Sequence, residues 1–423
     1  MTSYQLGIRE NLRPFLEQLL QVFFVGLTIG LQRTVIPALA ETEFGVAEGS
    51  MTALFAFIVS FGVVKGAMNF VSGRVSERVG RRRVLIWGWL IALPIPAMIL
   101  FAPNWGWIVA ANVLLGVNQG FAWSMTVTAK MDIVRADQRG LATGFNEFAG
   151  YGGVALAGLS TGYLASFFEP RMSLFVFGMV VIGLALAAAR LSFTETLPYA
   201  RAEAERHATA SADAPATRYV EGPDHPTVGQ IFALVTWRNR TFMALSQAGS
   251  VEKFVDALMW GLVPVFLVAK GASLIEIGWV TGIYGFVWGG SQLWTGPLSD
   301  RVGRKWPTVA GFFLCSGGVL AFPALAGVAA WGVAAAVTGV GMALLYPTLI
   351  AAMGDIAHPA WRGSALGVYR FWRDLGYAIG ALAMGLIADA AGMLEAGFWF
   401  TGLAMAGSGL WLVLGMEETH PRR

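Results

Sequence analysis

Charged residues are scarce in this sequence. Only 13% of its 423 residues are Asp, Glu, Lys or Arg, whereas 56% are hydrophobic. A water-soluble globule of this length needs more polar surface than this composition provides. We therefore exclude a soluble globular protein and expect lipid to cover most of the chain.

Cysteine and histidine are nearly absent. The single cysteine, Cys315, lies in an apolar stretch, so the sequence contains no disulfide framework and no redox pair. The four histidines fall in predicted loops or at helix ends, without the spacing of metal ligands. We predict no metal site, no cofactor and no nucleic-acid partner. The P-loop pattern GxxxxGK[ST] and the hydrolase patterns HExxH and GxSxG are also missing, so we predict that the protein is not an enzyme.

Long apolar runs, in contrast, repeat along nearly the whole chain. Crossing the ~30 Å hydrocarbon core of a bilayer takes about 20 apolar residues in a helix. The runs have this length, and they predict an all-α membrane protein with twelve transmembrane helices. We label them α1 to α12 in chain order, at residues 17–39, 51–72, 84–101, 107–131, 140–166, 172–192, 241–268, 274–297, 306–327, 330–354, 363–388 and 395–416.

The basic residues are distributed unevenly between the two sides of the predicted membrane. Of the 29 Lys and Arg residues, only Arg171 and Lys270 fall in loops of one side, and the acidic segment 40–50 lies on that same side. Because basic loops stay in the cytoplasm, we predict that both termini and the long central loop are cytoplasmic.

The two halves of the sequence repeat each other at an offset of 223 residues, the difference between Gly296 and Gly73. The segment GRVSERVGRRR (73–83) aligns with GPLSDRVGRKW (296–306). The same offset aligns 139–153 with 362–376 and 193–198 with 416–421. One offset for separated segments indicates a duplication.

The repeat also predicts the domain organisation. Residues 197–240 are rich in Ala, Arg, Glu, Asp and Pro, a composition typical of a linker. We therefore predict an N-terminal bundle of six helices over 1–196, a cytoplasmic linker over 197–240 and a C-terminal bundle over 241–423. Parallel repeats of this kind occur in transporters whose halves rock about a central site.

The repeated turn resembles the pattern G-x-L-a-D-r-x-G-r-K/R between helices 2 and 3 of the major facilitator superfamily. The resemblance implies two six-helix bundles related by a pseudo-twofold axis. It also implies a secondary active transporter in the inner membrane of a bacterium, working by alternating access as a functional monomer. In that family the turn and an acid on helix 4 or 10 form a conformational gate. The matching positions are Gly73, Glu77, Arg81, Asp132, Gly296, Asp300, Arg304 and Asp355.

Two other patterns of this family are missing. The helix 4 arginine associated with proton coupling is replaced by Gly116, and the helix 5 antiporter signature has no proline in the segment 150–158. Both absences weaken the interpretation as a standard drug/proton antiporter, but they do not exclude efflux.

Ionisable residues inside the predicted spans cost at least ~2.5 kcal/mol each, so each needs a partner, water or a function. Two interpretations remain open: structural pairing, as for Lys253 with Asp256 or Arg373 with Asp374, and binding of substrate or protons. For the second, we favour Arg33, Lys65 and Arg370 for an anionic substrate, and Glu147 or Asp256 for a proton. The full set is Arg33, Lys65, Glu147, Glu252, Lys253, Asp256, Arg370, Arg373 and Asp374.

Three alternatives to a proton-coupled carrier of a small solute remain. Export of amphipathic drugs is the first. Permeation of a metal ion is the second, because RENLRPF (9–15) and NEFAGY (146–151) resemble magnetosome-associated permeases linked to iron. A non-transporting sensor with the same fold is the third, favoured if all the buried charges form pairs.

Overall fold

The protein is helical throughout its described part. The computed structural model describes residues 4–44, 51–209, 219–220 and 226–420, without the side chains of residues 32–42, 51–58, 162, 166, 208 and 274. Every regular element in these ranges is a helix. The predicted all-α architecture is confirmed.

The first repeat contains six long helical segments at the predicted places. Their bounds are α1 Leu12–Thr42, α2 Met51–Val79, α3 Arg81–Ala92 with its continuation Pro94–Leu100, α4 Trp105–Ile133, α5 Arg139–Phe167 and α6 Pro170–Leu191. The largest difference from the prediction is at the end of α2. This helix continues through the repeated motif, and Gly80 alone separates it from α3.

The second repeat also contains six long segments. They are α7 (240–269), α8 Leu274–Val302, α9 Lys305–Ala321, α10 Val328–Ile356, α11 Arg362–Ala391 and α12 Glu395–Gly415. Within α7 a π-helical turn, Leu258–Leu262, connects the helices Arg240–Ala257 and Val263–Ala269. Pro264 follows this turn and has no N–H to donate to the preceding turn, which is a recognised cause of such a widening.

Many of these segments have the length and composition of membrane spans. In the described residues, eight helical segments are long and apolar enough to cross a bilayer. They are Leu12–Leu31, Arg81–Leu100, Trp105–Ile133, Pro170–Leu191, Lys305–Ala324, Val328–Ile356, Pro359–Ala391 and Glu395–Gly415.

The segment predicted as a linker contains regular structure. A helix spans Leu197–Thr209, and a second short helix spans Val228–Ala233. A capping box between Thr227 and Gln230 starts the second helix, because each side chain satisfies a backbone N–H at the helix end. Composition alone did not indicate these helices.

The chain divides into two compact units, which we call unit 1 and unit 2. Unit 1 contains Met1–Arg135, Phe145–Thr217 and His358–Gly367. Unit 2 contains Ala136–Gly144, Arg218–Ala357 and Val368–Arg423. Each unit therefore holds most of one repeat and the beginning of one helix, α5 or α11, from the other repeat.

Helices pack in the same pairs within each unit. In unit 1, α2 and α3 both pack against α4, and α1 packs against α6. In unit 2, α8 and α10, α9 and α10, and α7 and α12 form the equivalent pairs. The packing thus repeats the sequence duplication.

Candidate functional site

The turn between α2 and α3 holds a buried ion pair in unit 1. Arg81 Nε lies 3.0 Å from Asp132 Oδ2, and both side chains are fully buried. The hydroxyl of Thr196 donates to the same carboxylate oxygen at 2.9 Å. The structure thus brings together two residues that the family resemblance paired.

Unit 2 repeats this pair at the turn between α8 and α9. Arg304 Nε lies 2.9 Å from Asp355 Oδ2, and Arg304 Nη1 lies 2.6 Å from Asp300 Oδ1. Arg139 also donates to Asp355, at 3.0 Å. Asp355 therefore forms ion pairs with two buried guanidinium groups, which makes this the denser of the two networks.

The acidic residue of each motif binds the first turn of a helix from the other repeat. Asp300 accepts the backbone N–H groups of Gly140 and Leu141 at 2.8 and 2.7 Å. Glu77 accepts the N–H of Ser364 at 2.6 Å and its hydroxyl at 2.8 Å. A carboxylate at a helix N-terminus satisfies N–H groups that lack partners and interacts favourably with the helix dipole.

The motif glycines allow these helices to approach closely. A Cβ on Gly73 would collide with the carbonyl oxygen of Gly363, and a Cβ on Gly296 with that of Gly140. Glycine is the residue type that lets two backbones approach in this way. The glycines and the acids of the motif thus serve the same contact.

Sequence reasoning missed two glutamates, one at each turn, whose carboxylates accept hydrogen bonds from the backbone of the turn. Glu195 accepts the backbone N–H groups of Arg81 and Arg82 at 2.9 and 3.1 Å. Glu418 accepts those of Arg304 and Lys305 at 2.8 and 3.2 Å. The signal was present, since the same offset aligns FTETLP with MEETHP and these two glutamates with each other.

Arg362 is another residue that sequence reasoning missed. Its guanidinium is fully buried and lies 2.8 and 2.9 Å from the two carboxylate oxygens of Glu203 on the linker helix Leu197–Thr209. It also donates to the carbonyl of Met131 at 3.3 Å. This bidentate pair attaches the linker helix to the start of α11.

A cluster of buried charges lies in unit 2 on α7 and α11. Lys253 Nζ lies 2.7 Å from Asp256 Oδ2, and both side chains are fully buried. The hydroxyls of Tyr284 and Tyr377 donate to Asp256 at 2.7 and 3.1 Å. Asp256 thus accepts three hydrogen bonds, one of them from Lys253, with which the structural-pair interpretation of the sequence paired it.

Glu252 has different surroundings. One of its carboxylate oxygens lies 3.5 Å from Lys253 Nζ and 3.8 Å from Arg373 Nε. Within the described part of the chain, neither oxygen accepts a hydrogen bond. Arg373 Nε lies 3.6 Å from Asp374, and its Nη2 donates to the hydroxyl of Tyr346. Arg370 is buried on the same helix.

Aromatic rings surround the ammonium group of Lys253. It lies 4.2 Å from the ring centroid of Tyr346, 5.2 Å from that of Tyr377 and 5.8 Å from that of Trp288. A cation over aromatic faces is stabilised by the ring quadrupoles, more so when it is desolvated.

Unit 1 has its own buried polar group. Glu147 Oε1 accepts hydrogen bonds from Trp123 Nε1 at 3.2 Å and from Asn146 Nδ2 at 2.8 Å. Asn146 in turn accepts a hydrogen bond from Lys130 at 2.9 Å. Lys130 is fully buried, although sequence reasoning placed it at the helix end. Its equivalent by the 223-residue offset is Met353, so comparison of the two repeats would have identified it.

Lys65 lies beside aromatic rings in unit 1. Its ammonium group lies 5.4 Å from the ring of Phe61 and 5.5 Å from that of Trp123. The equivalent positions in unit 2, Trp288, Tyr284 and Tyr346, are all aromatic. The ring centroid of Trp288 lies 5.6 Å from that of Tyr284 and 5.5 Å from that of Tyr346. The two repeats therefore keep the contact and change its chemistry.

Arg33 belongs to α1, but its side chain lies outside the described residues. In the described residues, no group of three or more His, Cys, Asp or Glu side chains could hold a metal ion.

Comparison with known proteins agrees with the fold and the repeated turns. A sequence profile described as Major Facilitator Superfamily matches residues 19–251 and 248–423. An uncharacterized MFS-type transporter of Salmonella typhimurium is 24% identical over 393 residues, which are 86% of this chain and 87% of that protein. One of Burkholderia pseudomallei is 26% identical over 412 residues, which are 94% and 91%.

Two solved structures share the fold. The human organic anion transporter MFSD10 superposes with a TM-score of 0.76 at 16% identity, over 95% of this chain and 99% of that one. The proton:xylose symporter XylE, bound to 6-bromo-6-deoxy-D-glucose, superposes with a TM-score of 0.72 at 14% identity, over 96% of each chain. Identities this low concern the fold alone. Since the family profile matches both halves, the protein belongs to the Major Facilitator Superfamily of membrane transporters.

Proposed function

We propose that this transporter carries a small anionic solute by alternating access and that protons drive the movement. One observation carries the proposal: Lys253 on α7 and Arg373 on α11 converge on a single buried carboxylate, that of Glu252. Two cations on different helices that already accommodate a carboxylate form a suitable site for the carboxylate or phosphate of a substrate.

Arg373 has donor capacity left for such a group. Its Nε and Nη1 atoms are buried and, among the described residues, donate no hydrogen bond. Buried donors without acceptors cost free energy, and an anionic ligand would supply acceptors. We include Arg370 and, in unit 1, Lys65 in the proposed set of substrate cations, as the sequence suggested. Arg33 remains a sequence-based candidate.

The turn networks are proposed as the conformational gate. Each holds at least one fully buried ion pair and a carboxylate at a helix N-terminus, and breaking such contacts requires compensation from other interactions. We further propose that the bundles over 1–196 and 241–423 move about the substrate, joined by 197–240. Both termini would be cytoplasmic, in a bacterial inner membrane, with the monomer as the functional form.

Export of amphipathic drugs is the second candidate function. It is favoured by the aromatic group in unit 2, where Trp260 stacks on Tyr377 at 6.1 Å and lies 6.4 Å from Trp288. Such rings bind flat apolar cations well.

The proposed anionic substrate does not depend on the name of MFSD10, since the similarity to that protein concerns the fold.

A binding screen followed by counterflow tests the function. The purified protein is heated with small carboxylates, inorganic phosphate, divalent metals and quaternary ammonium drugs, because a ligand of the folded state raises the melting temperature. The best ligand is then tested for exchange in proteoliposomes. We expect a carboxylate or phosphate compound to bind and exchange. Binding and exchange of drugs alone would support the second candidate, whereas binding without exchange would indicate a sensor.

Variants separate the proposed site from the rest of the protein. Arg373→Gln should abolish exchange of the anion, since one of the two cations is lost. Glu395→Gln is the matched control, because Glu395 forms a partly exposed pair with Lys270 at 3.0 Å. Equal exchange by both variants would contradict the proposed site.

A further inference from the structure

The two carboxylates on α7 differ in one decisive respect. Asp256 accepts three hydrogen bonds, from Lys253, Tyr284 and Tyr377. In the described part of the chain, Glu252 accepts none. Donors that point at a carboxylate stabilise its ionised form, and Asp256 has three such donors. The ionised form of Glu252 depends instead on two cations at 3.5 and 3.8 Å.

Further titratable groups lie on α11 and α9. Asp374 and Arg370 lie on α11 beside Arg373 and are buried. Tyr369 on α11 and Cys315 on α9 lie within electrostatic reach of Glu252. The thiol of Cys315 donates to the carbonyl of Thr338 at 3.5 Å and so points to another acceptor. The charge on Glu252 is therefore balanced by ion pairing rather than by hydrogen bonds.

The formal charges of this cluster sum to zero. It contains three buried cations, Lys253, Arg370 and Arg373, and three buried acids, Glu252, Asp256 and Asp374. A proton added to one acid would leave a net positive charge in the membrane, which is costly. A bound monoanion would restore neutrality.

We propose that Glu252 is an exchangeable counter-ion, which takes up one proton when a substrate carboxylate or phosphate replaces it on Lys253 and Arg373. The proton comes from water and forms one O–H bond on the glutamate, and no other bond changes. The proton and the anion therefore bind together, and one negative charge is carried per proton. This inference rests on the proposed function and names its proton site, in place of the sequence candidates Glu147 and Asp256. Glu147 differs from Glu252 because its Oε1 accepts two hydrogen bonds, whereas in the described part of the chain its Oε2 accepts none.

Infrared difference spectroscopy of the purified protein tests the proton site, with inorganic phosphate present as the anion because phosphate has no carboxyl band. Lowering the pH from about 8 to about 5 should then produce the carbonyl stretch of a protonated carboxylic acid, since the bound anion replaces the charge of the ionised glutamate. We expect Glu252→Gln to remove this band and Glu147→Gln to leave it unchanged. Loss of the band in Glu147→Gln or Asp256→Asn, with the band intact in Glu252→Gln, would overturn the proposal. So would the absence of a titrating band in the wild type.

A second variant protects the test against misfolding. Glu252→Asp keeps a carboxyl group at the same position, so the band should remain, with a shifted frequency or midpoint. If Glu252→Gln does not fold, an unshifted band in Glu252→Asp overturns the proposal instead.

Anion binding provides the second readout. With acetate and inorganic phosphate as probes, binding to the wild type should weaken about tenfold per pH unit above the midpoint, because one proton is taken up per anion. Glu252→Gln, which mimics the protonated acid, should bind with no such dependence. An identical pH slope in the variant would contradict the inference.

The two proposals can fail separately. Exchange of an anion with no infrared band from Glu252 would retain the proposed function and remove the inference. A Glu252 band without exchange of any solute would retain the proton site at Glu252 and remove the proposed transport function.

Discussion

Arg304 donates through Nε to Asp355 Oδ2 at 2.9 Å, and neither side chain has any exposure to solvent. Because Arg139 also donates to Asp355, one carboxylate forms ion pairs with two buried cations. Replacing it removes a buried negative charge from both pairs, which costs far more than the loss of an exposed ion pair.

We therefore expect Asp355→Asn to lower the free energy of unfolding by about 3–5 kcal/mol. Thermal unfolding in detergent micelles measures the effect. Lys270→Met, which breaks the partly exposed pair with Glu395, is the control and should cost at most about 1 kcal/mol. Similar losses for both variants would show that burial of the pair does not determine its contribution.

A side chain at Gly303 is expected to destabilise the folded protein. Its φ angle is 100°, which is unfavourable for residues with a Cβ, and a Cβ would collide with the carboxylate of Glu418. Gly303→Ala should therefore cost about 1–2 kcal/mol of stability, measured by the same unfolding assay. Gly183→Ala on α6 is the control, because a Cβ there meets no atom within 4 Å. A loss in the control equal to that in Gly303→Ala would refute the explanation.

Glu203 is expected to hold the linker helix in place. Glu203→Ala removes both bonds to Arg362, each charge-assisted, and about 1.5–3 kcal/mol of attachment with them. Trypsin should then cleave at Arg201 or Arg206 about tenfold faster or more. Glu205→Ala is the control, since Glu205 is an exposed residue of the same helix. Unchanged cleavage in Glu203→Ala would mean that other contacts hold the helix.

His358 gives the protein a predicted sensitivity to mild acid. Partial burial lowers the pKa of His358, and His207 and Arg362 lower it further, while Glu203 acts in the opposite direction. The unfolded chain therefore binds a proton at a pH at which the folded chain does not. The stability from the neutral imidazole is fully present above about pH 6.5 and falls as the pH drops below that value.

Unfolding midpoints between about pH 8 and pH 5.5 test this sign. We expect the midpoint of His358→Gln to fall less on acidification than that of the wild type. His207→Gln, which removes a neighbouring imidazole whose ring centroid is 5.3 Å away, should have an intermediate effect. If the unfolding midpoint of His358→Gln falls with decreasing pH as steeply as that of the wild type, this imidazole is excluded as the cause.

The length of the apolar runs made the helices predictable. A span of about 20 apolar residues is a property of consecutive residues, so α4 was expected at 107–131 and is found at Trp105–Ile133. The end of α2 was less predictable, because charged residues interrupt its apolar pattern while the helix continues to Val79. The backbone of Gly80, with φ 97°, ends it.

The family resemblance predicted part of the turn networks, since it placed Arg81 and Asp132 in one network and they lie side by side. The repeat offset aligned Glu195 with Glu418 without assigning them a role, because a carboxylate that caps a helix more than 100 residues away leaves no local pattern. Lys130 was missed because its position at the end of an apolar run suggested contact with water.

By itself, the sequence determined the order of the long apolar helices, their duplication and the family, since all of these depend on residue type and spacing along one chain. It also supplied the buried charges on α7 and α11. Only the tertiary structure decided which cation meets which carboxylate. Asp256 and Glu252 are four residues apart on one helix, yet hydroxyls from Tyr284 and Tyr377 reach only Asp256. Hydrogen bonding and burial are set by neighbours that are distant in sequence, and these neighbours distinguish a fixed ion pair from an exchangeable one.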